Sequence, residues 1–234
     1  MILLIAAAIA GAAPAPAAAP AATCPDVVTA EAFVCRAVEA TNSGKAAQAA
    51  AAFEQAALAT AESDPARARM FAAAGNMWIS AGAPGKAAFA LDRALTGTGL
   101  QAEQRGEALL DRARAAEAQN DLKTARAKLN EAVETISRDP FYWYFSAALA
   151  IREEDKGAAQ SAINKALSLA PTDPTILFEA GHVAHFLGDV VGARDYWTRS
   201  LNTDPNGPNG KAARDALNML PAPVTVKLEP AKEE

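Results

Sequence analysis

Apolar and small residues recur along this chain at intervals of three and four, in segments of about a dozen residues split by Gly, Asn or Asp turns. That spacing marks one face of a helix. No stretch alternates apolar and polar residues over a useful strand length. Asp-Pro pairs at 139–140, 173–174 and 204–205 read as points where one helix ends and another begins, because proline fits a helix's first turn and not its interior. The pattern predicts an all-α protein.

The helices repeat. Pro140 and Pro174 lie 34 residues apart, and Ala159 with Ala193, Ile163 with Trp197, Leu167 with Leu201 and Pro171 with Pro205 keep the same interval. NDLKTARAKLNEAV (120–133) aligns with GDVVGARDYWTRSL (188–201) at twice that period. GKAAQAAAAFEQAA (44–57) and GAPGKAAFALDRAL (82–95) carry the same order of Gly, Ala, apolar and Ala at a spacing of 38, which places about four extra residues in the connecting loops near 62–65 and 97–100. Five units are expected within 23–207, starting near residues 30, 68, 106, 140 and 174, followed by a polar capping helix at 208–220 and a Pro-rich, charged, disordered tail at 221–234.

This register divides the aromatic run FYWYF (141–145) by direction. Trp143 is expected in the core with Ser146, Ala147 and Ala150, and Tyr142 against the third unit. Phe141 and Tyr144 share a different stripe with Ala148 and Arg152, and Phe145 falls at the border.

On these residues the chain resembles the tetratricopeptide repeat family, whose first helix carries Trp, Leu-Gly and Tyr and whose second carries Ala, an aromatic, Ala and a closing Pro. The last full unit shows Gly181, Gly188-Asp189, Ala193, Trp197 and Pro205; the fourth shows Trp143, Ala159, Ala166 and Pro171; the second shows Phe71, Gly75, Trp78, Ala87, Leu91 and Ala94. In the first unit Arg36 and Ala37 stand where Leu-Gly is usual. The resemblance spans about residues 30–207. It implies a right-handed α-solenoid of five antiparallel helix pairs, with a concave groove built from the first helix of each pair, which binds a peptide or partner protein rather than catalysing.

The stripe that should face this groove carries Arg69 and Asn76, then Leu110, Arg114 and Glu117, then Phe141, Tyr144 and Arg152, then Phe178, His182, His185 and Phe186. The groove is thus expected to be polar and partly basic at one end and aromatic toward the other. Phe141, Tyr144, Arg152, Phe178, His182, His185 and Arg114 are the candidate partner-binding residues, since aromatic and Arg side chains combine buried area with a polar handle. The alternative for Phe141 and Phe178 is to fill the seams between units. Some members of the family clamp a carboxylate with Lys, Arg and Asn, but Val34, Val38 and Ala72 occupy those places, with Asn76 alone matching.

Charge and chemistry narrow the reading. A formal charge of -5 argues against a nucleic-acid surface. The leader MILLIAAAIAGAAPAPAAAPAA (1–22) reads as a signal peptide too short to span a bilayer, although no Lys or Arg precedes its apolar part; the alternative is an Ala/Pro-rich head on a cytosolic protein. Export to the periplasm or outside would place the two cysteines, Cys24 and Cys35, in an oxidising compartment, where a disulfide is expected; lipidation of Cys24 is the lesser alternative. His182 and His185, three apart, could share a metal, but no third ligand suits them, and no metal or cofactor is expected. No phosphate loop or catalytic constellation can be defended, so an enzyme is not expected. The remaining rival is a self-associating envelope scaffold, and oligomeric state is left open.

Overall fold

Asp64, Asp139 and Asp173 each accept a hydrogen bond from a backbone N–H of the first turn that follows, and Pro65, Pro140 and Pro174 open the helices behind them. The structure, a computed structural model, describes residues 24–221. The expected leader at 1–22 and tail from 222 onward lie outside the described residues. Within them are eleven helices and no strand: α1 (Ala30–Asn42), α2 (Ala46–Ala59), α3 (Pro65–Ser80), α4 (Pro84–Thr96), α5 (Ala102–Ala118), α6 (Leu122–Ile136), α7 (Pro140–Arg152), α8 (Lys156–Leu169), α9 (Pro174–Leu187), α10 (Val190–Thr203) and α11 (Pro208–Met219).

The helices form five pairs, α1 with α2 through α9 with α10, and α11 packs on α9 and α10. Each pair reverses at a residue in the left-handed region: Gly44 (φ 67°), Gly82 (φ 68°), Asn120 (φ 62°), Glu154 (φ 59°) and Gly188 (φ 88°). These five positions are spaced by 38, 38, 34 and 34 residues, which is the register carried by the sequence. Glu154 is the side chain least suited to that backbone, at a cost of about 1 kcal/mol.

The longer spacing of the early units has a different origin from the one expected. α3 and α5 have 16 and 17 residues, against 13 and 14 for α7 and α9, so most of the extra length extends the first helices rather than the loops. The second and third pairs consequently begin at Pro65 and Ala102, not near 68 and 106. Asp64-Pro65 is a helix start, and a capping box between Gln101 and Gln104 starts α5. The pair Asp204-Pro205 also departs from expectation, since α11 starts only at Pro208. Asp204 instead accepts from the Gly207 N–H at 3.0 Å, and a Cβ on Gly210 would lie 1.8 Å from the Asp204 carbonyl oxygen. The connection is a close-packed turn.

Aliphatic, alanine and aromatic side chains fill the space between helices. Tyr142 is buried among Leu109, Ala125 and Leu129 of the third pair, and its hydroxyl donates to the Leu129 carbonyl at 3.2 Å. Trp143, expected in the core, is only partly buried between two clusters. Its indole N–H donates at 2.8 Å to the carbonyl of Ser137 in the three-residue 137–139 connection, which holds the ring at the corner of α6 and α7. Trp197 is buried; it donates to the Phe178 carbonyl at 3.0 Å and lies so close to Gly181 that a Cβ there would meet the ring at 2.2 Å.

Candidate partner groove

The first helices touch one another in series, α3 on α5, α5 on α7, α7 on α9 and α9 on α11, while no such series runs along the second helices among the described residues. Successive helices approach most closely on the inside of a curve. The first helices therefore form the inner wall, and the groove is their exposed surface.

Polar side chains stitch this wall together at one-repeat separations. Asn76 of α3 donates to Asp111 of α5 at 2.8 Å, 35 residues on. Arg152 of α7 pairs with Glu117 of α5, again 35 residues away, and donates to Asn120 at 2.7 Å. Asn209 of α11 donates to Thr175 of α9 at 2.9 Å, 34 residues away. Between α3 and α5 the wall opens a cleft of about 390 Å³ lined by Arg69, Ala72, Asn76, Glu107, Leu110 and Asp111.

The candidate residues fall into two groups. Arg114 and Arg152 lie on the wall, but each is already paired, Arg114 with Asp111 at 2.9 Å and Arg152 with Glu117. The charges of these two arginines are therefore offset by acids of α5. Glu107 adds a further negative charge there. Its carboxyl is pushed above the ordinary carboxylate value by partial burial and by the charges of Glu103, Asp111 and Asp139.

The aromatic candidates form two separate clusters, and Phe178 packs against the core of α9, α10 and α11 rather than standing free in the groove. Phe141 is 45% exposed and stands edge-to-face to Tyr144, with ring centres 6.4 Å apart. Phe178 meets His182 at 4.4 Å, and His182 and His185 lean on Trp197 at 5.6 and 5.9 Å. Burial, then the negative charge of Glu179, pushes the Tyr144 hydroxyl pKa up against the opposing pull of Arg114. Tyr144 thus lies within the fields of both α5 and α9.

Glu179 was not among the candidates, because α9 considered alone turns it away from the groove stripe. It is 6% exposed, and its single hydrogen-bond partner among the described residues is His182 at 3.3 Å. One signal could have found it: Glu179 stands nine residues before its turn at Gly188, as Asp111, which Asn76 reaches across to, stands nine before Asn120.

Comparison with solved structures identifies the architecture. A tetratricopeptide repeat protein from Parabacteroides merdae superposes with a TM-score of 0.62 at 14% identity, over 80% of this chain and 72% of that one. The chain has the tetratricopeptide-repeat fold. PilW, described as a widely conserved type IV pilus biogenesis factor, shares that fold at a TM-score of 0.66 and 18% identity, covering 81% of this chain and 84% of its own. YrrB, described as a TPR protein with an unusual peptide-binding site, matches at 0.56 and 16% identity, over 80% of this chain and 92% of its own. No protein-family model and no curated protein matches the sequence. In this tetratricopeptide array no described helix is long and apolar enough to cross a membrane.

Proposed function

We propose that the array is a non-catalytic adaptor that grips an extended peptide or a partner's segment in the groove of its first helices, and that it works in the periplasm or outside the cell. The observation that carries this reading is the groove's aromatic end. There the 45% exposed Phe141 ring with Tyr144, and His182 on the following first helix, offer apolar area with polar tips. The Cys24–Cys35 disulfide supports a location outside the cytoplasm. The likeness to YrrB, whose description includes a peptide-binding site, and to PilW, described as a pilus biogenesis factor, supports a binding role.

A photo-crosslinking residue tests the face. Placed at Phe141 it should capture a partner in envelope extract, whereas the same residue at Phe89, 63% exposed on α4 of the outer layer, should not. Capture at 89 alone would reject the groove. A self-associating scaffold is the second reading, favoured by the exposed apolar side chains Leu58, Phe89 and Val191, one on each of three second helices. Sedimentation at two concentrations decides it: a monomer at both removes the scaffold.

A further inference from the structure

Four junctions link α3, α5, α7, α9 and α11 along the inner wall, and three are closed by a side-chain hydrogen bond or ion pair between the two helices: Asn76–Asp111, Arg152–Glu117 and Asn209–Thr175. At the α7–α9 junction no side-chain hydrogen bond or ion pair joins the two helices among the described residues, although Tyr144 of α7 packs against the cluster that holds Ile176, Ala180 and Val183 of α9, the helix of Glu179: here the tie is open. The Tyr144 hydroxyl makes no hydrogen bond among the described residues, and the carboxylate of Glu179, a residue only 6% exposed, has His182 as its single partner, at 3.3 Å. A buried carboxylate is costly unless a donor or cation completes its shell. The groove's own arginines cannot do so, because Arg114 is held by Asp111 and Arg152 by Glu117. Beside the gap stands the exposed Phe141 ring, edge-to-face to Tyr144, a surface that favours a cation with an alkyl stem.

We propose that the α7–α9 junction receives a cationic side chain, the arginine or lysine of a bound segment, which donates to the Glu179 carboxylate and the Tyr144 hydroxyl and so closes the open tie. This rests on the groove reading above and gives the partner a chemical class: a segment with a basic side chain flanked by apolar residues.

The test uses the full chain and four pools of fluorescein-labelled, amidated nonapeptides with mixed Ala, Ser and Leu flanks and a fixed central Arg, Lys, norleucine or Glu, read by anisotropy. The Arg or Lys pool should bind about tenfold more tightly than the norleucine pool, the range of one charge-assisted hydrogen bond. Comparison of the Arg and Lys pools distinguishes a bidentate guanidinium from a point charge. In Glu179→Gln, checked for helicity by circular dichroism, that advantage should fall to about twofold or less while norleucine binding stays unchanged. Tyr144→Phe keeps the ring and should lose part of the preference, which carries the test if the Gln variant fails to fold. Equal or tighter binding of the norleucine or Glu pool, or an intact basic preference in a folded Glu179→Gln or Tyr144→Phe chain, overturns the cation. Failure of every pool to bind overturns the groove reading, and this inference with it.

Discussion

The first and last helix pairs solve the same packing problem with different side chains. In α1 and α2 the buried apolar positions are all alanines: 32, 37, 40, 49, 50, 56 and 57. In α9 and α10 they include Ile176, Leu177, Val183 and Trp197 beside three alanines and Gly181. A buried Leu or Ile contributes roughly 1.5–3 kcal/mol, and an alanine methyl far less. The alanine pair is compensated by other means. The Cys24–Cys35 disulfide ties the entering chain to α1, and Arg36 donates to the carbonyls of Pro25 and Val27, so that segment 24–28 is held close to the outermost helix. At the other end the pair is held by shape and by polar bonds from side chain to backbone, Trp197 to the Phe178 carbonyl and Ser200 to the Pro174 carbonyl at 2.8 Å. One end is stapled and the other is packed.

The largest test of that contrast is Trp197→Ala. Removing a 4% exposed indole that also bonds across to α9 should cost about 4 kcal/mol in urea unfolding, with hydrogen exchange accelerating first in α9, α10 and α11. A loss below about 1 kcal/mol would show that the last pair does not depend on its large side chains. The matching change at the other end is Cys24→Ser with Cys35→Ser. Opening a link between residues 11 apart should cost about 3 kcal/mol, chiefly by freeing the unfolded chain. Exchange should then accelerate in α1 and α2 and stay unchanged in α9 and α10; a uniform loss along the array would break the idea of a local staple.

Much of this was legible in the sequence, and the failures share a cause. The turn spacing of 38, 38, 34 and 34 was readable because a left-handed turn demands Gly or Asn at most of its positions. Capping Asp-Pro pairs at 139–140 and 173–174 were readable for the same local reason. The first helices α3 and α5 were placed too late because the Asp64-Pro65 signal was absorbed into a loop. Trp143 was misjudged and Glu179 passed over because a helix taken alone reveals its own stripe, but not what its surroundings lay against it. Trp143 is held at the corner by the Ser137 carbonyl of the connection before α7, and Glu179 is buried on the helix that packs against α7.

A smaller effect is expected at Tyr142→Phe, midway between the two ends. The ring stays and only the bond to the Leu129 carbonyl is lost, so stability should fall by about 1 kcal/mol. A loss as large as that of Trp197→Ala would mean that the middle of the array depends on polar ties more than on packing, and the contrast between the ends would need a third term.

The smallest effect probes whether charge repulsion is tolerated in the early, longer units. Glu107 on α5 sits near Glu103, Asp111 and Asp139, and partial burial followed by those three charges raises its carboxyl pKa above the ordinary 4.5. A carboxyl with a raised folded pKa binds its proton more tightly in the native chain than in the unfolded one, so its charge penalises the fold once pH has risen through the folded value. Glu107→Gln removes that charge and should stabilise the array at pH 7. The side chain is exposed, so solvent screening limits the gain to about a few tenths of a kcal/mol. As pH falls below the ordinary carboxylate value both chains are neutral at this position, and the difference in urea midpoint should vanish. A gain that persists in acid would come from packing rather than charge, and destabilisation at pH 7 would mean that the acidic α5 segment is held by a favourable interaction like those joining Asp111 to Asn76 and Arg114.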